Sequence, residues 1–522
     1  MSSVVYNPIN GRLTIAGPGA RYSLRPQDAS RSRIADNGTG DSYEGAKPQE
    51  GSNHWSVTEN GSNNARNVNF NNGNVNNNNK YNGNVVRAVA ASIDYHDVPK
   101  GFIHSVWHAY ADCLKGKRRS EQAVEYMQTA AADLPRLACE LWTGEYRPGT
   151  STCFLVRYPK LREVFAASFR DRIVHHWICL RLNPLFEERF EAQGNVSFNC
   201  RKGYGTDSAV QHAAEGMKRI SDCYNSPAWV FRGDLVGFFM SIDKDLLWYL
   251  LERFILRWRK RYEREGWTKI SHDLLKRLNM AEMPEMYWDI LLRTTRTVVT
   301  HHPERDCVLN SPPEWWNRLE PNKSLFTSPT GEPIGNLTTQ LFANFLMSFF
   351  VAYVQWLFRR QNYSMAQFVD DFEITCDNRR FLIDSIPKIS AFLSGSLRLK
   401  MHADKRYLQP VGHGLLFVGT FIKPGRLYLG NRTRARLEEH CKGYGRMLAD
   451  SGCTEADVLQ MVRTLNSYLG FTRRRRSYKF RLECIDSMGR GLWQWCTVKG
   501  HYETVCVRRK YKPINIQNLL AA

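Results

Sequence analysis

The sequence lacks the cysteine patterns of metal-binding and disulfide-rich proteins. Its 13 cysteines are odd in number and scattered, and no CxxC pair or Cys/His spacing of the zinc type occurs. A zinc module or a disulfide framework is therefore disfavoured, and reduced thiols in a cytoplasmic protein are expected. The first residues, MSSVVYNPINGRL, contain no apolar signal core, which agrees with a cytoplasmic localisation.

An uninterrupted hydrophobic span, a lipidation motif and a fixed-period repeat are also missing. The most apolar stretch is residues 341–358 (LFANFLMSFFVAYVQWLF), and Asn344, Ser348 and Gln355 interrupt it. Its length approaches that of a membrane span, but the polar residues favour a buried core helix. No association with a membrane is therefore predicted.

Acidic residues are scarce relative to basic ones. The 522 residues include 72 Lys and Arg against 51 Asp and Glu, which gives a formal net charge of +21. Such a chain repels itself unless a polyanion compensates the charge, so nucleic acid is the leading partner and a membrane surface the weaker alternative. The length is sufficient for about two to four modules at roughly 100–200 residues each.

The composition divides the chain into a polar head and a globular remainder. Residues 1–92 are rich in Asn, Gly and Ser, and 14 of the 25 residues from 60 to 84 are Asn, which predicts a disordered extension. From about residue 93 apolar periodicity begins. One helical pattern covers residues 121–141, with Pro135 expected to break it.

Two segments place aspartates at the ends of short apolar strands. Residues 231–239 (FRGDLVGFF) carry Asp234, and residues 365–374 contain the adjacent Asp370 and Asp371. Paired aspartates usually are solvated or cap a helix, but these lie in an apolar run, where an uncompensated carboxylate is costly. Carboxylates from two neighbouring strands could hold two Mg²⁺ ions about 3.5–4 Å apart, as nucleotide polymerisation requires.

A third motif lies between these two segments. Residues 334–340 (IGNLTTQ) precede the apolar helix, so Asp234, this motif and residues 368–371 (FVDD) follow in the order of a reverse-transcriptase palm. The amino-acid sequence of this motif resembles that found in the reverse transcriptases of diversity-generating retroelements. Thr339 conservatively replaces the serine typical of that group, and Phe368 replaces the more usual tyrosine.

The resemblance extends from about residue 100 to 490 through motifs in the family order. The further motifs are residues 162–166, 169–176, 197–206, 316–326, 397–405, 417–419 and 466–470. The resemblance implies an α+β fold of the right-hand polymerase type. Fingers are expected at 93–225, a palm with an antiparallel sheet at 226–428 including an insertion at 262–325, and a helical thumb with a basic tail at 429–522.

The resemblance also implies residue roles. Asp234, Asp370 and Asp371 would hold two Mg²⁺ ions, with the Leu235 carbonyl as a further ligand, and Lys405 would give a proton to pyrophosphate. The other expected roles are triphosphate binding by Lys160 and Arg162, exclusion of a ribose 2′-hydroxyl by Phe239, contact with the templating base pair by Ile334, Gly335, Asn336 and Gln340, and nucleic-acid binding by Arg201, Lys202, Arg473, Arg474, Arg475 and Arg476. Arg170 and Arg172 could equally form helix-surface ion pairs around Asp171, and His175 and His176 are interpreted as core-edge residues without a catalytic role.

The implied function is RNA-directed DNA polymerisation that yields adenine-mutagenised cDNA for diversifying a target gene. Template RNA, the RNA/cDNA duplex, deoxynucleotides and a small basic helical accessory protein are the implied partners. Residues 54–89, with Trp55 and the closing VRAV, resemble the C-terminal end of a C-type-lectin-like variable protein. The reading frame of the polymerase would then run through the template that the retroelement copies. A fused lectin-like fragment is the alternative. Another prokaryotic reverse transcriptase, of the group II intron or antiviral-defence type, and an inactive RNA-binding scaffold remain the rival functions.

Overall fold

The computed structural model describes residues 97–157 and 160–508, apart from the side chain of Asn322, and in the first 96 residues it describes only short strands. Most of the head lies outside the described residues, so its disorder and its origin in a template stay predictions. The strands are β1 (Ser3–Asn7), β2 (Arg12–Gly17), β3 (Ala20–Leu24), β4 (Asn53–Glu59), β5 (Asn64–Asn69), β6 (Val75–Asn79), β7 (Val85–Val86), β8 (Ser151–Val156), β9 (Arg162–Ala166), β10 (Trp229–Gly233), β11 (Cys307–Leu309), β12 (Tyr363–Phe368), β13 (Asp371–Cys376), β14 (Tyr407–Pro410), β15 (Leu415–Phe417), β16 (Thr420–Lys423), β17 (Arg426–Leu429), β18 (Cys496–Lys499) and β19 (Thr504–Val507).

Helices make up most of the remaining regular structure, which confirms the predicted α+β class. They are α1 (Lys100–Cys113), α2 (Glu121–Thr143), α3 (Phe169–Ala192), α4 (Thr206–Ile220), α5 (Phe238–Ser241), α6 (Lys244–Glu265), α7 (His272–Leu278), α8 (Trp288–Val299), α9 (Pro313–Trp316), α10 (Leu337–Leu357), α11 (Arg379–Ser396), α12 (Asn431–Ala449), α13 (Glu455–Thr472), α14 (Tyr478–Asp486) and α15 (Arg490–Trp495). The chain forms two compact units. The first unit comprises residues 1–192 and 237–346, and the second comprises residues 193–236 and 347–522.

The first unit is built around aromatic side chains from α1 and α3. The Phe102 ring is fully buried, with its centroid 5.6 Å from that of Trp177 and 4.9 Å from that of Tyr287. Helix α2 continues through Pro135, so the expected break is wrong. A proline inside a helix costs about 3 kcal/mol, and the fully buried Leu134 and Leu137 beside it offset that cost. After residue 96, this unit contains a three-stranded sheet with the order β11-β8-β9, in which β8 and β9 are antiparallel.

The second unit contains a four-stranded sheet with the order β12-β13-β10-β14, in which every pair is antiparallel. This is the antiparallel sheet expected in the palm. Gly233 at the end of β10 allows a close approach, because a Cβ atom there would lie 2.3 Å from the Phe372 ring. Helix α4 covers β12 through small side chains, and a Cβ at Gly216 would meet the Ser364 hydroxyl at 2.3 Å. The sheet end that carries Gly233 is therefore tightly fixed.

The C-terminal part of the second unit has a core of its own. Leu437, Leu465, Leu469 and Ile485, from helices α12, α13 and α14, are fully buried there, and the hairpin of β18 and β19 closes the cluster. This helical core occupies the segment predicted to form the thumb.

Helix α10 is the long apolar helix expected from the sequence. Its length and mean hydropathy of 1.4 would suffice to cross a membrane, but 72% of its most apolar window is buried inside the protein. That burial is typical of a core helix.

Candidate active site

The second unit brings the predicted carboxylates to one end of its sheet. β10 pairs with β13, and Gly233 is the register partner of Phe372. Asp234 follows Gly233 and Asp371 precedes Phe372, so the two aspartates start from neighbouring positions. Cβ atoms of directly opposed residues in such a pair lie about 4.5–5.5 Å apart. Asp370 belongs to the turn that joins β12 to β13.

The turn that carries Asp370 has an unusual backbone. Val369 has a φ of 59°, in a region that β-branched residues rarely adopt. Two side chains hold it there, because the Val369 N–H donates to the Asn199 side-chain oxygen at 3.0 Å and the Gln367 amide donates to the Val369 carbonyl at 2.6 Å. The peptide of Gln367 in turn bonds with Val196 and Phe198. Residues 196–199 therefore support the turn, which gives the motif at 197–206 a structural role.

Asp371 is largely buried and bound by a cation. The Arg232 guanidinium donates to both carboxylate oxygens of Asp371 at 2.8 Å. Burial raises the pKa of Asp371, and the nearby Asp234 charge acts in the same direction; Arg232 and the Val418 N–H act against them. Glu373 is the register partner of Arg232, and burial raises its pKa to about 8.

Asp234 has a lysine partner, and its neighbour Leu235 is aligned by the backbone. Lys405 donates to the Asp234 carboxylate at 3.1 Å and is itself half-exposed. The Asp234 carbonyl accepts from the backbone N–H of His402, and the Val236 N–H donates to the backbone carbonyl of Lys400, both at 2.8 Å. Because peptide groups alternate along a strand, these bonds turn the Leu235 carbonyl toward the other side, where β13 begins.

The donor atoms at this sheet end suit Mg²⁺, a hard cation that takes carboxylate and carbonyl oxygens. Within residues 97–157 and 160–508, no group of three or more His, Cys, Asp or Glu side chains is placed so that it could hold a metal ion. Arg232 and Lys405 balance the negative charges of Asp371 and Asp234.

The first unit gathers several of the residues expected to bind the nucleotide. Arg162 is exposed at the start of β9, while its neighbour Glu163 is fully buried and accepts from the Ser324 hydroxyl at 2.8 Å. The Phe165 N–H donates to the Ile334 carbonyl at 2.7 Å. Gly335 follows with a φ of 130°, and a Cβ there would lie 2.4 Å from the Phe165 carbonyl oxygen. A glycine is therefore required at this position of the motif.

Phe239 is joined to the same assembly by backbone hydrogen bonds. The Phe239 carbonyl accepts from the Glu332 N–H at 2.8 Å, and the Met240 carbonyl accepts from the Ser328 and Thr330 hydroxyls at 3.0 and 2.9 Å. The segment before the motif thus connects Phe239 to residues 334–336. Lys160 and Gln340 are exposed in this unit, and Asn336 lines the cavity described next.

A small polar cavity of about 20 Å³ lies beneath the motif. Its lining includes Asp171, His175, His301, Glu332, Asn336, Thr338 and Thr339. Glu332 is fully buried; one carboxyl oxygen contacts the Thr339 hydroxyl at 3.4 Å, and the other has no hydrogen-bond partner among the described residues. Burial raises the pKa of Glu332 to about 8, opposed by the Lys244 charge. Sequence reasoning missed Glu332, although a glutamate between Gly331 and Pro333 just before a core helix could have indicated it.

The residues flanking this cavity take structural roles. Asp171 accepts from the Tyr146 and Ser168 hydroxyls, each at 2.7 Å, so it is not the ion partner of its neighbours. Arg170 instead pairs with Asp133 and Glu140 on α2 at 2.9 and 2.8 Å. The expected surface pairing around Asp171 is therefore wrong.

His175 and His176 have defined partners in the first unit. His175 contacts the Thr338 hydroxyl at 2.7 Å, and burial lowers its pKa to about 4. His176 contacts the Asp112 carboxylate at 2.7 Å. These contacts agree with two histidines at the edge of the core.

The basic residues predicted to bind nucleic acid differ in exposure. Arg201 is buried, donates to the Ser197 carbonyl at 2.7 Å and stacks on Tyr204, whereas Lys202 is exposed. Arg475 is also buried, and pairs with Asp207 at 2.8 Å. Arg201 and Arg475 therefore make stabilising contacts inside the protein. Arg473, Arg474 and Arg476 are exposed.

Comparison with known proteins gives distant similarities. No protein-family model matches the chain. Protein YkfC of Escherichia coli (strain K12) is 21% identical over 324 residues, covering 55% of this chain and 71% of that protein. Among solved structures, apo telomerase from Candida Tropicalis has a TM-score of 0.38 at 11% identity and covers 65% of this chain and 61% of that chain. Telomerase from Candida albicans in complex with a TWJ fragment of telomeric RNA has a TM-score of 0.36 at 11% identity, covering 66% and 58%. The chain thus spans about six tenths of those telomerase chains.

Proposed function

We propose that this chain is an RNA-directed DNA polymerase, which transfers deoxynucleotides to a primer 3′-hydroxyl on an RNA template. The observation that carries the proposal is the convergence of Asp234 and Asp371 on neighbouring strands, with Asp370 on a braced turn beside them. Surface aspartates need no such support. The strain at Val369 and the buried partners of Asp371 are instead typical of a functional site.

In this proposal the carboxylates of Asp234, Asp370 and Asp371 and the Leu235 carbonyl would hold two Mg²⁺ ions. The bound ions would supply activation of the attacking oxygen and stabilisation of the pyrophosphate. Arg232 orients the Asp371 carboxylate through two hydrogen bonds. Lys405, which is half-exposed on Asp234, can move to the leaving group and donate a proton there.

In the first unit, Lys160 and Arg162 would neutralise the triphosphate, as a point charge and as a planar fork. Phe239 would exclude a 2′-hydroxyl by its ring. The hydrogen-bonded segment from Ser328 to Gly335 fixes the spacing between Phe239 and β9, so sugar selection and triphosphate binding would depend on one rigid assembly.

The finer proposal is that the enzyme belongs to a diversity-generating retroelement and miscopies template adenines. Its supports are the motif at Ile334, Gly335 and Asn336 and the asparagine-rich residues 60–84, whose codons are rich in adenine. The proposed partners are template RNA, the RNA/cDNA duplex, deoxynucleotides and a small basic helical accessory protein, in the cytoplasm. The rivals are another prokaryotic reverse transcriptase and an inactive RNA-binding scaffold.

Primer extension tests the activity. The purified chain is given an RNA template, a DNA primer, deoxynucleotides and Mg²⁺. Extension to the template end supports the polymerase, whereas RNA binding without any extension, with and without a candidate accessory protein, supports the scaffold. Error spectra then separate the diversity-generating type from other reverse transcriptases.

A further inference from the structure

The sheet of the second unit has a second end, remote from the carboxylates. The register of β12 and β13 runs from Phe368 opposite Asp371 at the catalytic turn to Tyr363 opposite Cys376. Five residue steps at about 3.3 Å each separate the two ends by about 17 Å. Two turns meet at the far end, one between α10 and β12 and the other between β13 and α11.

Several contacts fix these two turns beside each other. The Asn362 amide donates to Asp377 at 2.9 Å, and the Asn378 amide donates to the Gln361 side chain at 3.4 Å. The rings of Phe358 and Phe381 meet edge to face beneath them, with centroids 5.1 Å apart. Helix α4 reaches the same place, because Arg219 near its end donates to the Tyr363 carbonyl at 3.1 Å.

These three segments expose five arginines, which we call the far-end arginine cluster. Its members are Arg219, Arg359, Arg360, Arg379 and Arg380. The same segments expose four acids, Glu215, Asp222, Asp377 and Asp384, and one further base, Lys218, so positive charge still exceeds negative charge. Arg380 and Asp384 form a 3.4 Å pair between side chains that are 88% and 53% exposed, a contact that a phosphate can replace at little cost.

An exposed aromatic residue adjoins the cluster. Trp356 is 57% exposed, and the Arg359 guanidinium lies 4.9 Å from its ring centroid. Arginine beside a solvent-facing indole is suited to unpaired nucleotides, whose phosphates bind the guanidinium and whose bases stack on the ring. The neighbouring apolar surface is small, with Ile383 39% exposed, which disfavours a protein interface with an apolar centre.

We propose that the far-end arginine cluster, together with Trp356, binds single-stranded or looped RNA at a site separate from the catalytic end of the sheet. The choice of RNA over other polyanions rests on the proposed function. The positive charge of the surface is observed independently of that function. RNA that extends beyond the copied duplex would be held at two places on the second unit. The chain could then favour long template RNA over a short duplex.

The test compares two RNAs on four proteins without deoxynucleotides. One RNA is a short primer–template duplex, and the other is the same duplex with a structured extension of about a hundred nucleotides. The variants are Arg359→Ser/Arg360→Ser/Arg379→Ser/Arg380→Ser and Trp356→Ala. The control, Arg253→Ser/Arg257→Ser/Lys260→Ser/Arg264→Ser, removes the same charge from exposed positions of α6.

We expect the arginine variant to bind the long RNA about tenfold or more weakly, with a salt slope lower by about 0.7 for each phosphate that the variant no longer neutralises. Short-duplex binding should stay within twofold, and Trp356→Ala should weaken the long RNA alone without changing the slope. Unchanged long-RNA affinity, or an equal loss in the α6 control, would overturn the proposal. If the fourfold variant does not fold, Trp356→Ala and Arg379→Ser/Arg380→Ser decide by the same criteria. Primer extension by the wild type is measured separately. If it fails, the proposed polymerase activity is wrong, and the binding comparison still decides whether the far-end arginine cluster binds RNA.

Discussion

At the scale of single residues, Asp371 illustrates how the fold prepares a carboxylate. Both of its oxygens accept hydrogen bonds from Arg232, and burial raises the pKa of the nearby Glu373 to about 8. A buried ion pair of this kind is costly to break from one side, by about 3–5 kcal/mol. Substitution of Asp371 would therefore disturb folding as well as any chemistry, whereas Asp370, in the turn, is the better residue for testing chemistry alone.

Phe239 should decide between deoxyribonucleotides and ribonucleotides. We expect Phe239→Ala to admit ribonucleotides, because a ring can block a 2′-hydroxyl and a methyl group cannot. The ratio of kcat/KM for the two sugars should fall by about tenfold or more. Phe239→Tyr retains a ring and should keep the discrimination. If Phe239→Ala discriminates as well as the wild type, Phe239 is only a packing residue.

Glu332→Gln should remove part of the pH dependence of stability. Burial raises the pKa of Glu332 from an ordinary 4.5 to about 8, so the folded chain keeps a proton that the unfolded chain releases. The stabilisation from this group is full below about pH 4.5 and is lost as the pH rises through 8. Glutamine has no such proton.

Melting temperatures at about pH 6 and about pH 9 test this linkage. The wild type should lose more of its Tm than Glu332→Gln between the two pH values. Glu314→Gln, which changes an exposed glutamate, is the control and should follow the wild type. His175 and His301 line the same cavity, and the Lys244 charge acts on Glu332. These three residues are common to all three proteins, so a parallel fall of Tm in the wild type and in Glu332→Gln would contradict the buried acid.

At the scale of elements, the basic segment after α13 combines two kinds of arginine. Arg475 is buried against Phe471 and pairs with Asp207, while Arg473, Arg474 and Arg476 reach solvent. The four-residue run is uniform in the sequence, but its side chains divide between the core and the surface. Only the exposed three can contact a phosphate backbone.

Changing the three exposed arginines to Ser should weaken RNA binding and preserve the fold. We expect the slope of log affinity against log salt to fall by about 0.7–0.9 for each phosphate that is no longer neutralised. The matched variant Arg475→Ser should instead lower the Tm, because it removes a buried guanidinium that pairs with Asp207 at 2.8 Å and donates to the Thr420 hydroxyl. The measurements are salt titrations and thermal melts of both variants. If the triple variant loses Tm and keeps an unchanged salt slope, the three exposed arginines are structural residues and do not bind the phosphate backbone.

Apolar periodicity predicted the core helix α10, and the acids at strand ends indicated the two segments that carry Asp234 and Asp371. The α+β class was implied by the resemblance to reverse transcriptases. The tertiary contacts of individual residues could not be predicted from the sequence. The exposure of Arg201 and Arg475 depends on Tyr204 and Asp207, and the continuity of α2 through Pro135 depends on tertiary burial. Such features arise from packing between segments, which local sequence patterns do not encode.

At the scale of the whole molecule, the +21 charge and the asparagine-rich head are the sequence features on which the proposed nucleic-acid partner and the proposed template rest. Errors at adenine would require a loosened contact with the nascent base pair, where discrimination amounts to only a few kcal/mol. In the proposed enzyme this contact is made by Ile334 to Asn336 and by Gln340.

We expect cDNA from this enzyme to carry errors concentrated opposite template adenines. Substitution of Ile334 or Gln340 should change the error rate more than the rate of synthesis, because neither residue belongs to the metal-binding set. Sequencing of cDNA copied from a template of balanced composition is the measurement. Errors spread evenly over the four bases would remove the diversity-generating assignment and leave the polymerase intact.

The most direct test of the central claim is primer extension by Asp370→Asn. With RNA template, deoxynucleotides and Mg²⁺, the variant should lose about a thousandfold or more in rate, since a missing metal ligand removes several kcal/mol of transition-state stabilisation. Its Tm and RNA affinity should match the wild type, and Asp384→Asn, at an exposed position of α11, should extend normally. Near wild-type extension by folded Asp370→Asn would contradict the account.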